Sequence, residues 1–428
     1  MIKYIIETER FIYMARMYNT FEFTGELGFA KEPLKVKPFD SGWNKHNFSF
    51  AIIESKTNKG FVSLEAGLNV GNGKPNIAYT GTKGLFGEPT SNNVQVPWED
   101  RLKPSIVDSV PDYRKTIIDL TPVGVSKDEF YNTKREIYNL ETKENPTQED
   151  KDKLLELYDK ARNILPERKE FINTYDAIQF FMSKLEEYKG RKFRVKGNIE
   201  KSYWNEKFYT NFTPSYIELV SDEERNKLGL NLDLFFTKGA IDEVDFAKEK
   251  VIRFDTYILS RDNAQKKDVF FPQQTVLNAS KLDLDNPKHV GRVELIKKML
   301  SGKSNKNVYH MAFEGKYFRG ADEVEFTEKD LTPLQKECIE LGINKIDDFK
   351  PKGGMLGETI EEFRVTLPLI KRFNDSNDFS DGVIESTYEV EDLTFVVPET
   401  NQPPKPKENE SVTKVEESIV FDELEDLL

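Results

Sequence analysis

A glycine set in the middle of an alternating strand, followed by a tryptophan turn and an aromatic strand, occurs twice in this chain. The first copy reads Phe23-Thr24-Gly25-Glu26-Leu27, then Trp43-Asn44-Lys45 and a strand with Phe48 and Phe50. The second reads Val195-Lys196-Gly197-Asn198-Ile199, then Trp204-Asn205-Glu206-Lys207 and a strand with Phe208, Tyr209, Phe212 and Tyr216. Alternation puts every second side chain on one face, and a glycine inside a strand marks a bulge or tight bend. A small closed barrel needs such a bend where one strand serves both sheets. The repeat therefore predicts two barrel modules.

Residues 1–13, ahead of Met14, read as a frayed leader or a misassigned start. Residues 14–125 carry the period-two pattern of the first module, with a late strand from Arg114 to Leu120. Over 126–189 the period becomes helical. There Thr147 and Asp150 form a cap for the run from Leu154 to Ile164, and a further helix spans Asn173 to Tyr188. This stretch spaces the modules, packs on one or zips against a partner, with packing within the chain the plainer reading. Strands resume over 190–373, with helices at 290–300 and from Thr332-Pro333 and a last strand from Phe363 to Leu369. The expected fold is α+β and β-rich, with tandem oligonucleotide-binding (OB)-like barrels, a helical spacer and a disordered acidic tail over 374–428.

Several classes drop out. No apolar stretch approaches the roughly 18 residues of a membrane span, and no signal-peptide pattern opens the chain, so a cytoplasmic location is expected. The one cysteine, Cys338, excludes an internal disulfide and a cysteine-based zinc site, and it reads as a small core residue. The three histidines, His46, His289 and His310, lack the i, i+4 spacing of a helix-borne metal site. No phosphate-binding Gly-rich loop with Lys-Ser/Thr and no Gly-x-Ser-x-Gly elbow is present. Neither metal nor cofactor is expected, and no catalytic residue is assigned.

What remains is binding. Cations and aromatics interleave at Arg194, Lys196, Tyr203, Trp204, Lys207 and Tyr209. They do so again at Lys35, Lys37, Trp43 and Lys45, and at Tyr317 and Arg319. Aromatic faces stack on bases for roughly 1 to 3 kcal/mol each while cations track phosphates. Lys192, Arg194 and Lys196 share one strand face, which predicts a positive surface. The plainer alternative is that the aromatics are core and the charges ordinary solvated faces.

The last 44 residues change the charge balance. Glu385 to Leu428 hold thirteen acids and three lysines, so they carry −10 of the chain's −13 and leave −3 for the rest. Such a tail on a tether competes for a cationic groove. Its tip, Phe421-Asp422-Glu423-Leu424-Glu425-Asp426-Leu427-Leu428, suits docking on a partner protein.

In these features the chain resembles the single-stranded DNA-binding proteins of bacteriophages and related mobile elements, which join OB barrels to an acidic C-terminal tail. The segments around Gly25 and Gly197, the aromatic and cationic positions above, and the tip from Phe421 to Leu428 carry the resemblance. It implies a non-enzymatic protein that coats single strands during replication or recombination in the host cytoplasm and recruits replication enzymes through its tail. The chain departs from that pattern in ending on two leucines and in its helical segment. A structural or assembly protein of a phage particle is the alternative expectation.

Overall fold

The computed structural model describes residues 19–397, apart from 72, 84–88, 122–126, 144–145, 165–167, 322, 325–326, 328–330, 351–354, 357–358 and 370–383. The leader expected at 1–13 lies outside the described residues.

The first strands run β1 (Thr20–Gly28), β2 (Leu34–Pro38), β3 (Trp43–Ser55) and β4 (Asn58–Asn69). After them come a separate hairpin, β5 (Ile77–Lys83) with β6 (Pro89–Pro97), and the short strands β7 (Thr116–Asp119) and β8 (Arg168–Phe171). Then follow the hairpin β9 (Lys192–Trp204) and β10 (Lys207–Leu219), β11 (Lys227–Phe236) and β12 (Ile241–Asp242). The last group is β13 (Val251–Asp262), β14 (Lys267–Asn278), β15 (Tyr309–Gly320), β16 (Glu323–Val324), β17 (Met355–Leu356), β18 (Ile360–Pro368) and β19 (Ile384–Glu385).

Pairing sorts the long strands into two barrels of one design. In the first, β1 pairs with β3 and with β9, β3 with β4, and β9 with β10, all antiparallel. β10 then returns against β4 without a ladder. In the second, β11 pairs with β13 and β15, β13 with β14, and β15 with β18, again antiparallel. A parallel contact of β14 with β18 closes that ring. Both follow the order first, second, third, fifth, fourth and back to the first, the five-stranded Greek-key barrel of the OB fold.

One expectation changes here. β9 and β10, read from sequence as the opening of a second module, are the fourth and fifth strands of the first barrel. The sheet does not divide where residues 189 and 190 meet, because β1 pairs with β9 from Thr20↔Asn198 to Glu26↔Lys192. The helical stretch is an insertion between the third and fourth strands of that barrel. Within it, Lys127–Glu141 and Gln148–Ile164 form a helical pair, tied by a Lys160 to Glu129 bridge of 3.1 Å. The third helix, Thr174–Met182, starts on Asn173, whose side chain accepts from the Tyr175 amide. It plugs the barrel with Ala177, Ile178 and Phe181, the i, i+3/i+4 stripe of a helix packed on one face. Phe181 meets Phe29, Phe48, Phe50 and Phe193. In the second barrel the helix Pro287–Met299 occupies the same connection and buries Val293 and Ile296.

The barrels are fused. β1 also pairs with β11, from Thr20↔Asn231 to Thr24↔Lys227, and one apolar core runs through both. Tyr317 and Phe363 of the second barrel pack among Phe23 and Phe212 of the first, at centroid distances of 4.8 to 6.3 Å. Each ring so buried stabilises the fold by about 1.5 to 3 kcal/mol.

The helix Pro333–Glu340 opens on a Thr332/Gln335 capping box, and Cys338 on it is half-buried rather than core. No described helix is long and apolar enough to cross a membrane. The region expected to be tail from 374 onward is described only over 384–397, where it packs on the second barrel.

Candidate nucleic-acid interface

In an OB barrel the second and third strands and the loops beside them form the ligand face. In the first barrel these strands are β3 and β4, widened by β2. Cross-strand partners project to the same side, and β2 pairs with β3 through Lys35↔Asn47 and Lys37↔Lys45. Lys35, Lys37, Trp43 and Lys45 therefore stand on one outer face, while Phe48, Phe50, Val62 and Leu64 point inward. The structure brings these four residues, separated in sequence, onto a single surface. Along it, Ser49 donates to Asn47 at 3.1 Å and lies 3.0 Å from Ser63, and Lys45 pairs with Glu65 at 2.9 Å.

The far end of the ribbon is shaped to carry rings. Gly42, at φ 76°, turns the chain, and the Phe39 amide donates to the Trp43 carbonyl at 2.8 Å. Trp43 is 41% exposed and lies on the bare backbone of Gly67, where any Cβ would collide with the indole. The Asn76 side chain brackets Asn69, accepting from its amide at 2.7 Å and donating to its carbonyl at 3.1 Å. At the near end Arg319 comes from the second barrel to lie 4.7 Å from the Phe61 ring centroid. The face thus runs from an exposed indole through lysines and small polar groups to an arginine over a phenylalanine. Stacking platforms joined by cations are the chemistry of single-strand binding.

Other expected site residues lie elsewhere. Arg194 and Lys196 do not form a positive face. Arg194 pairs with Glu218 at 2.9 Å, Glu224 at 2.5 Å and Glu22 at 3.8 Å, and Lys196 lies 3.8 Å from Glu22 and 3.7 Å from Glu218. Burial would raise the Glu22 carboxyl, but Lys227, Lys196 and Arg194 outweigh it and hold it below the ordinary carboxylate value. Three carboxylates answer three cations, and the patch is an ion-pair network. Tyr317 is 2% exposed and belongs to the core shared by the barrels, where burial pushes its hydroxyl pKa up.

Tyr203, Trp204, Lys207 and Tyr209 sit at the end of the β9–β10 hairpin. Its two-residue turn places Asn205 at φ 48° and Glu206 at φ 65°, the left-handed pair of a type I′ turn. Trp204 is 63% exposed, Lys207 is exposed and Tyr209 is half-buried. The hairpin reaches the second barrel. Phe208 packs 6.2 Å from Phe271, and the Lys201 amide donates to Ser260 Oγ at 3.2 Å. Lys201 itself is buried, donating to Thr210 at 2.6 Å and to Gln273, and desolvation lowers its pKa to about 8.

The tip from Phe421 to Leu428 lies outside the described residues. Sequence reasoning missed the outer face of the second barrel, where Phe235, Tyr257, Leu259 and Phe270 lie under Tyr388, Val390 and Leu393. The signal available in the sequence was the alternation of β13, which sets Tyr257 and Leu259 on the face opposite Ile258. Among the described residues no cluster of side chains is arranged to hold a metal.

No family model matches the chain, and no curated protein matches it. Among solved structures it is similar to two forms of the single-stranded DNA binding protein from Thermus aquaticus. The wild type is 8% identical, with 71% of this chain and 85% of that one covered at a TM-score of 0.25. A deletion mutant is 11% identical, with 72% and 89% covered at a TM-score of 0.24. The assignment of two OB-like barrels rests on the strand pairing.

Proposed function

We propose that the protein binds single-stranded DNA with little sequence preference and acts without catalysis. The observation that carries this reading is the outer face of β2, β3 and β4. There Lys35, Lys37 and Lys45 stand beside an exposed Trp43 on the ligand-bearing strands of an OB-like barrel. Bases stack on the indole and on Phe61, and phosphates pair with the lysines and Arg319. Base edges are not read, because stacking accepts any base.

The setting we infer is phage-type DNA replication or recombination in the host cytoplasm. There the acidic C-terminal region competes with DNA for the basic face and its tip engages a replication partner. The supporting observation is compositional, the −10 carried by the last 44 residues.

The test is fluorescence anisotropy of a labelled oligothymidine of about thirty bases, titrated with full-length protein at low and moderate salt. Tight binding that weakens steeply with salt is expected. Absence of binding at low salt, together with self-assembly without nucleic acid, would replace this reading with a particle-assembly role.

A further inference from the structure

The two barrels present the same face in opposite states. In the first, among the described residues, the outer side of the second and third strands leaves Trp43 and Glu65 exposed. In the second, the equivalent side of β13 and β14 is covered by the chain's own segment 384–397. This strap is held by little backbone. β19 pairs with β15 only through Tyr309↔Glu385 and His310↔Ile384, and the Ser386 amide donates to Val308 O at 2.8 Å. Near its end Gln265 donates to the Val396 carbonyl at 3.0 Å. Its principal anchors are rings. Tyr388 stands edge-on to Phe270 at 4.8 Å and to Phe235 at 5.9 Å. Phe395 sits 5.0 Å from Phe271 and 5.1 Å from both Tyr203 and Phe208 of the first barrel's hairpin.

The strap has the chemical pattern of a nucleic-acid strand. Its two rings, Tyr388 and Phe395, flank the carboxylates Glu389, Glu391 and Asp392. Glu385, Glu389 and Glu391 border one hollow with Lys306, and Asp392 borders another with Lys267. We infer that the outer face of the second barrel, continued by the β9–β10 hairpin, is a second single-strand binding site, and that residues 384–397 occupy it as an intramolecular stand-in. Bases take the places of Tyr388 and Phe395, and phosphates take the places of the carboxylates at Lys306 and Lys267. The strand leaving the first barrel's face then continues onto the second. This inference rests on the single-strand reading above and adds to it a site and the residues that close that site.

The test uses the full chain with the double substitution Tyr388→Ala/Phe395→Ala, which keeps every tail carboxylate. The occluded length on long oligothymidine should increase, and affinity for about thirty bases should rise roughly tenfold or more, the weight of one stacked ring. A short oligomer that the first barrel alone accommodates should bind as before. Hydrogen exchange on the unmodified protein gives a readout independent of how the variant folds. Saturating long oligothymidine should speed exchange of the Ser386 and Thr394 amides. Binding with unchanged occluded length and unchanged exchange at 384–397 would overturn the second site while leaving the first intact. Failure of the unmodified protein to bind any oligomer would overturn both.

Discussion

Gly197 and Gly315 hold the same place in the two barrels. Each lies on a fourth strand opposite an irregularity in the fifth, where the register skips Ser215 in β10 and Thr366 in β18. The hydroxyls of the skipped residues donate back to the fourth strand, Ser215 to the Lys196 carbonyl at 3.5 Å and Thr366 to the Glu314 carbonyl at 3.0 Å. A bulge tightens local twist, and here it lets the fifth strand turn toward the third.

Neither glycine tolerates a side chain, and they differ in degree. A Cβ at Gly197 would overlap the Thr213 carbonyl oxygen, whereas at Gly315 it would stand 2.9 Å from the Arg364 carbonyl oxygen. Gly197→Ala should cost about 1 to 3 kcal/mol, the range for overpacking a tight site, and Gly315→Ala less. Urea midpoints with unchanged slopes would establish the order, and equal midpoints would refute it.

Binding substitutions should separate the open face from the ion-pair network. Trp43→Ala should lose about 1 to 3 kcal/mol of oligothymidine affinity, and Lys37→Ala should lower the salt slope by about 1. Trp204→Ala and Tyr209→Ala should each weaken binding to long oligomers within the same stacking range. Arg194→Ala should leave the slope unchanged while lowering stability, since it strands Glu218 and Glu224. A reduced slope for Arg194→Ala would return that strand to the binding surface.

Arg101 and Asp176 form a two-pronged pair at 2.8 Å on each arm, with both side chains largely buried. The guanidinium also lies 3.9 Å from the Trp98 ring centroid. The pair fastens the segment after β6 to the helix that plugs the first barrel. Asp176→Ala should destabilise by about 3 to 5 kcal/mol, because it leaves a buried charge alone. Arg101→Met/Asp176→Leu should cost clearly less, and an equal loss for both would contradict this account.

Lys201 should make stability rise with alkaline pH. Its folded value of about 8 lies below the ordinary 10.5, so below pH 8 the folded chain carries the cost of a desolvated cation. The cost is relieved as pH climbs from 8 toward 10.5, by an amount on the order of 3 kcal/mol. The difference in unfolding free energy between wild type and Lys201→Met, followed from pH 7 to 10.5, should narrow or reverse over that window. A constant difference would show that Lys201 is not desolvated.

The hairpin turn offers a gain. Glu206 holds a left-handed conformation that costs a side-chain-bearing residue roughly 1 kcal/mol, and glycine is preferred there. Glu206→Gly should therefore raise the unfolding midpoint. A lowered midpoint would place the turn under a different constraint.

Local features were legible in the sequence and long-range ones were not. The Thr147/Asp150 cap forms as its spacing indicates, with the Thr147 amide donating to Asp150 at 2.8 Å. The Lys143 ammonium, aided by this amide, lowers the pKa of the Asp150 carboxyl to about 2. Asn173 and Thr332 likewise start helices. The strand glycines were also visible, but their pairing was misread. Gly25 and Gly197 lie on paired strands of one barrel, set against Phe193 and Phe21, and the counterpart of Gly197 is Gly315. Sequence order suggests that a new hairpin opens a new module, and the long insertion after β4 hid the return to β1. Arg194 read as a free cation because Glu22, which helps neutralise it, arrives from a strand far away along the chain.

That insertion also sets a timetable. About 120 residues separate Asn69, where the third strand ends, from Lys192, where the fourth begins. At ~5 to 20 residues per second of synthesis, the first three strands wait on the order of ten seconds with the far edge of β1 unpaired. A chain emerging from the ribosome therefore holds Phe21 and Phe23 without their cross-strand partners until β9 and then β11 arrive. During that interval the amino-terminal meander exposes apolar side chains that a chaperone's cover would shield.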